Sequence, residues 1–246
     1  MHTRLKPIWC LLPALATVAL LLTPADALAA PAATERDNTL TDAERRAGWL
    51  LLFDGQTHAG WMNSDRTAPR TPVQDGALNP HQAGHYMLVH TQQWSNFVLA
   101  LDFKITKGCN SGLFMRTSSL TPRPGKDIGF NGLEIAIDDT AGAGYHDTGA
   151  IYDLVKPTKN AMKPVGEWNH IEITCDQHVI EVVLNGERVT RADLSQFTEP
   201  NKRPDGSAQI RRGLQGSPVA RLHRPARPRK PVLVQEHQAA AVEVNR

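Results

Sequence analysis

Asn110, Arg116, Glu134, Asp138, His146, Asp147, Tyr152 and Lys163 fall on or beside a succession of short apolar-polar runs between Lys107 and Gly186. These residue types suit a polyhydroxylated, carbohydrate-type ligand. An arginine and a carboxylate on one face can hold adjacent hydroxyls and tune each other's charge. The bland alternative for Arg116 and Glu134 is a solvated cross-strand ion pair, worth about 0–1 kcal/mol. His146 and Asp147 read either as a base with its orienting partner or as a plain surface loop. Tyr152 suits stacking on a sugar ring or ordinary packing. Lys163 either supports an anionic intermediate or is a solvated loop lysine. Trp168 is expected in the core, and Asn169 as a tie for the loop backbone.

The elements that must position these groups are short. The runs "GCNSGLFMR", "GLEIAID", "HDTGAIYD", "NAMKPVGEWNHIEI" and "VIEVVLNGE" alternate apolar and polar residues and stop at Gly, Asn or Asp, the pattern of antiparallel strands. Alternation puts Leu113 and Met115 on one side of their strand, and Gly112, Phe114 and Arg116 on the other. It likewise puts Leu133, Ile135 and Ile137 in the core, and Glu134, Ala136 and Asp138 on the opposite surface. Upstream, Thr41 is a candidate N-cap for one helical turn in "DAERRAG". "WLLLFDG" reads as a buried strand ending in a turn at Asp54-Gly55. Gly60-Trp61 and "VQDGAL" (Val73–Leu78) suggest a hairpin, and "YMLVH" and "NFVLALDFKI" continue the strands. Many short strands with no long amphipathic helix imply an all-β, two-sheet antiparallel sandwich or jelly roll.

The ends carry different signals. Arg4 and Lys6, an apolar stretch from Ile8 to Leu22 and Ala27-Leu28-Ala29 describe a secretory signal peptide over residues 1–29. The apolar run falls short of the roughly 20 residues a membrane span needs, and Cys10 lies too early to be a lipoprotein cysteine. Residues 30–47 form a leader before the domain. Cleavage implies a periplasmic or secreted protein with no remaining membrane span. Cys109 and Cys175 then either form one disulfide or remain two half-buried thiols. No zinc-like Cys/His spacing, phosphate loop or nucleophile elbow is present. No cofactor is expected; calcium could brace a sandwich, but no continuous Asp/Asn loop marks a site. The formal net charge is +2 over 246 residues, which says little about partners. From Arg211 to Lys230 there are seven Lys/Arg and no acid, a pattern that would read as a nucleic-acid-binding tail.

The ordered set "LFDGQTHAGW", "VQDGAL", "NFVLALDFKI", "NSGLFMR", "LEIAID", "TGAIYD", "KPVGEWNHIEI" and "VVLNGERV" resembles the 3-keto-disaccharide hydrolase family over roughly residues 48–206. The resemblance implies a concanavalin A-like lectin/glucanase jelly roll and a carbohydrate substrate. It also implies cleavage of 3-keto-glycosides by elimination and hydration, because a ketone acidifies the neighbouring C–H. Glu134 or His146 would be the base, with Arg116 or Lys163 stabilising the enolate. Asn110, Asp138, Asp147, Tyr152 and Lys163 would line the substrate. The alternative is a non-catalytic, lectin-like carbohydrate-binding module, since one sandwich serves both.

Members of that family end near the pattern "GYIGLxDHGxPxWFKNIK", which residues 207–246 lack. The same codons joined one base out of step read differently. Arg221–Pro225 permit Gly-Tyr-Ile-Gly-Leu, Ala226–Pro231 permit His-Asp-His-Gly-Asn-Pro, and Val232–Gln238 permit Ser-Trp-Phe-Lys-Asn-Ile-Lys. The expectation is a frameshift between about Ser207 and Arg221. On that reading the basic tail is an out-of-frame product, so nucleic-acid binding is not expected.

Overall fold

The structure is a computed structural model. It describes residues 38–70, 73, 76–78, 87–126 and 128–209, together with the backbone of 232–235 and 240–242. All of these belong to the unit running from Arg36 to Arg246. The signal peptide read at residues 1–29 lies outside the described residues.

The first element is the expected helical turn, α1 (Asp42–Ala47). Thr41 Oγ1 accepts from Glu44 N while Glu44 reaches back to Thr41 N, and Gly48 closes the turn at φ +89°. That reciprocal box satisfies donors a six-residue helix could not otherwise pair. Strand β1 (Trp49–Leu51) follows with no buried residue of its own, whereas Leu52 and Phe53 just after it are buried. Strand β2 (Trp61–Asn63) pairs antiparallel with β3 (Leu88–His90); the hairpin suggested at Val73–Leu78 lies partly outside the described residues. In the β2–β3 pair the Trp61 ring meets His90 edge-on at 5.2 Å, and its Nε1 donates to the Leu52 carbonyl at 2.8 Å.

Two sheets then build the sandwich. β4 (Phe97–Ile105), β7 (Trp168–Asp176), β8 (Val179–Leu184) and β9 (Glu187–Asp193) form an antiparallel run, with Asn185-Gly186 at positive φ in the tight β8–β9 turn, as a type I′ hairpin requires. β10 (Val232–Gln235) lies between β1 and β4, and β11 (Ala240–Val242) also pairs with β4; these contacts are parallel. The second layer is the antiparallel pair β5 (Asn110–Met115) and β6 (Leu133–Asp138).

The core lies between the layers. Leu101, Phe103 and Ile105 of β4, Ile171, Ile173 and Cys175 of β7, and Ile180, Val182 and Leu184 of β8 face Met115, Leu133, Ile135 and Ile137. Each fully buried aliphatic side chain contributes about 1.5–3 kcal/mol. The alternation read for β6 holds for Leu133, Ile135 and Ile137, while Ala136, expected on the opposite surface, is buried as well. Cys109 and Cys175 are both buried and form no disulfide, the Cys175 thiol directed at Met115 Sδ at 3.4 Å. Trp168 departs from expectation. With Asn169, Ile171 and Ile173 turned inward, period-two geometry turns Trp168 outward, where the Lys104 ammonium sits 4.8 Å from its ring centre.

Candidate functional site

The polar face of the β5–β6 pair carries the site. Direct pairing sets Asn110 opposite Asp138, Gly112 opposite Ala136 and Phe114 opposite Glu134. With Leu133, Ile135 and Ile137 committed to the core, Glu134 is held on the other face by alternation alone. The free edge of β6 is then covered by the chain that follows. Ile151 bridges Ile135 antiparallel, Tyr152 N donates to the Glu134 carbonyl at 2.8 Å, and Ala136 N donates to the Ala150 carbonyl at 2.9 Å. Ile135 and Ile151 are both fully buried, so Tyr152, next along, extends the Phe114–Glu134 row.

His146 completes that row. Its ring stacks on Tyr152 with centroids 4.3 Å apart and planes 17° from parallel. Glu134, Tyr152 and His146, separated in sequence, are thus brought together. Asp138 stands further along the same strand. Burial raises its carboxyl above the usual carboxylate range; the Thr140 hydrogen bond opposes this, and the neighbouring Asp147 charge adds to it. Thr148 Oγ1 fastens this end of β6, accepting from Asp138 N and donating to the Asp138 carbonyl, both at 2.9 Å.

Three expected site residues turn out differently. Arg116 follows β5 with φ +53°, so the alternation that would have set it beside Glu134 ends at Met115. Its guanidinium instead lies by Cys175, lowering a thiol that burial pushes up to about 11, and its Nε and Nη2 are buried without a hydrogen-bond partner. Asp147 organises its own loop: the carboxylate accepts from Gly144 N and from Thr140 Oγ1. It is an internal brace rather than a partner for His146. Lys163 is exposed, with its backbone N–H donating to Asn169 Oδ1 at 2.8 Å. Asn169 is the loop tie expected of it, also accepting from Asn185 Nδ2 at 2.8 Å. The same loop reaches the end of β6 through Asn160, whose Nδ2 donates to the Thr140 carbonyl at 2.9 Å.

Sequence reading missed two contributors. Gly112 has a marginal signal, a glycine inside a strand, which marks close approach of another group. Arg203 has none, because its acidic partner lies 50 residues away: it forms a buried pair with Asp153, Nη2 to Oδ1 at 2.6 Å. That pairing removes Asp153 from the carboxylates available for chemistry. Among the described residues, no group of three or more His, Cys, Asp or Glu converges to hold a metal ion. No described helix is long and apolar enough to cross a membrane.

The protein is thus an all-β sandwich of jelly-roll type that carries a carboxylate, an imidazole and a phenol on one polar sheet face. The chain belongs to the family of 3-keto-alpha-glucoside-1,2-lyase-like domains, which matches residues 48–244. The match continues past residue 206, where the motif resemblance stops, through the stretch holding β10 and β11. The chain is 26% identical over 178 residues to a 3-keto-disaccharide hydrolase of Bacteroides thetaiotaomicron, covering 62% of this chain and 61% of that protein. It thus spans about three-fifths of that relative's length. The fold is similar to a crystal structure of a candidate glycosyl hydrolase from Parabacteroides distasonis, with a TM-score of 0.57, 24% identity, and 67% of this chain and 80% of that one covered. A second candidate glycosyl hydrolase from the same organism aligns at 36% identity over 50% of this chain and 63% of that one, with a TM-score of 0.45.

Proposed function

We propose that this protein is an exported carbohydrate-active enzyme that cleaves 3-keto-glycosides by elimination followed by hydration. The observation that carries the reading is the Glu134–Tyr152–His146 row on the polar face of a family-typical sandwich. Export is supported by the signal peptide read in the sequence at residues 1–29.

Simple glycosidases place two carboxyl groups about 5–9.5 Å apart across the scissile bond. Glu134 and Asp138 are four residues apart on one strand, so their α-carbons stand about 13 Å apart. Asp147 and Asp153 are engaged elsewhere. One carboxylate with an imidazole fits better a substrate whose own ketone supplies the acidity. Glu134 takes the proton from the carbon between the ketone and the anomeric centre. The C–H electron pair forms the enolate and then the C=C bond, and the anomeric C–O bond breaks. His146 gives the departing oxygen its proton, so an alcohol and a conjugated enone result. Water then adds across the C=C bond, completing net hydrolysis. The Tyr152 hydroxyl, on the same row, is the donor for the enolate oxygen, a role first expected of Arg116 or Lys163.

The test is release of reducing sugar from a 3-keto-disaccharide. Glu134→Gln is expected to lower kcat by about 10²–10⁴-fold while binding persists. Full activity of that variant rules out Glu134 as the base. Binding without any turnover by the parent protein favours the lectin-like module instead.

A further inference from the structure

We propose that Arg203 is a positioning residue for the His146–Tyr152 pair, fixing from behind the loop that presents both rings. This rests on reading the pair as part of the active site. Arg203 and Asp153 are only 7% and 3% exposed, so neither is placed to meet a sugar directly. The guanidinium uses its whole fork. Nε donates to the Asp153 carbonyl at 3.0 Å and Nη2 to Asp153 Oδ1 at 2.6 Å; Nη1 donates to Ser207 Oγ at 3.3 Å and to the Ala208 carbonyl. Its flat face lies 3.8 Å from the centre of the Tyr145 ring.

Tyr145 immediately precedes His146, and Asp153 immediately follows Tyr152. Arg203 therefore grips the two residues that bracket the stacked pair. The bracket is closed by the chain itself, since Asp153 N donates to the Tyr145 carbonyl at 2.9 Å. Asp153 adopts φ +61°, a backbone state that a non-glycine residue keeps only when its surroundings enforce it.

The chemistry argues for geometry rather than for stability. Desolvation of a buried ion pair offsets much of its Coulombic gain, and apolar residues of the same volume often serve stability as well. What apolar residues cannot do is set direction. A planar fork bonded to a carboxylate and to main-chain carbonyls, and stacked on an aromatic face, defines one orientation of the loop. Lysine offers one point charge and no plane, so Arg203→Lys keeps the charge and removes the orientation.

The experiment uses the full chain carrying Arg203→Lys and, separately, the milder Tyr145→Leu, which removes the ring beneath the guanidinium but keeps the ion pair. Two quantities are read: the NMR shift of the His146 ring protons, assigned with His146→Gln, and kcat and KM on a 3-keto-glucoside. Stacking 4.3 Å from Tyr152 gives His146 a ring-current shift. Folded Arg203→Lys is expected to lose that shift and to drop kcat by about 10–100-fold, with KM little changed. Tyr145→Leu should move both in the same direction by less. If Arg203→Lys does not fold, Tyr145→Leu decides on the same criteria. A folded variant whose His146 signal stays at the parent position overturns the positioning role, as does a moved signal with unchanged kcat. A parent chain without turnover defeats the active-site reading alone, and the His146 shift still judges Arg203.

Discussion

The Glu134 side chain leans over Gly112, its diagonal neighbour across the β5–β6 ladder. A Cβ at position 112 would stand 2.5 Å from Glu134 Cγ and 2.7 Å from Oε1. The glycine is thus the space in which the carboxylate rests, and the two positions act as one unit.

Gly112→Ala should force the Glu134 side chain aside. The expected stability cost is about 1–3 kcal/mol, the usual scale of overpacking. The loss of kcat on a 3-keto-glucoside should exceed what the fall in melting temperature explains. Unchanged turnover in a folded Gly112→Ala protein would show that the resting position of Glu134 is irrelevant to catalysis.

On the outer face of the larger sheet, the hydrogen bonds that the His170 ring donates to Asp102 (2.7 Å) and Glu172 (3.4 Å) raise it to about 9 from its usual 6.5. A raised folded-state value means the fold binds the proton more tightly than the unfolded chain. The stabilisation is therefore full below about pH 6.5 and lost as pH rises through about 9. His170→Gln should destabilise by about 1–2 kcal/mol at pH 6 after allowance for solvent screening, and by little at pH 9.5. Denaturant midpoints at the two pH values check this; an equal effect at both would remove His170 protonation as the cause.

Asn169→Ala should cost about 1–3 kcal/mol. It would orphan the part-buried Lys163 N–H and remove one of the two acceptors of Asn185 Nδ2, while also loosening the loop tied to the end of β6. Chemical denaturation measures the first effect. Faster amide exchange across 160–167, with the exchange of β8 unchanged, would display the second.

The out-of-step reading of the codons turns Leu233-Val234-Gln235 into Trp-Phe-Lys on the strand β10, between β1 and β4. A chain with that frame restored should gain several kcal/mol, since two large aromatics are added to a sheet position. Comparing melting temperatures of the two chains tests the stability claim. Sequencing the locus and weighing the C-terminal peptide by mass spectrometry test the frameshift itself, and an equally stable chain as it stands would end the stability argument.

Much of the architecture could be read along the chain because its physics is local. Alternation assigned Leu133, Ile135 and Ile137 of β6 to the core, Thr41 was legible as the N-cap of its helical turn, and the run "VIEVVLNGE" was read as a strand. Glu134 was placed on the correct face by the same period-two rule. Arg116 was misplaced by it, because one left-handed residue at the strand end breaks the period and no composition signal predicts that break. Trp168 was expected in the core, whereas Asn169, Ile171 and Ile173 of its strand hold the inward positions.

By itself, then, the sequence determined the strands, their buried faces and the family, since these depend on side-chain period and turn chemistry over a few residues. The tertiary structure alone decided which polar groups meet. The Tyr152–His146 stack exists because residues 149–152 cover the edge of β6. The Arg203–Asp153 pair exists because a segment 50 residues downstream returns to that loop. Contacts of that separation depend on how whole layers pack, and a local pattern of residues carries no record of them.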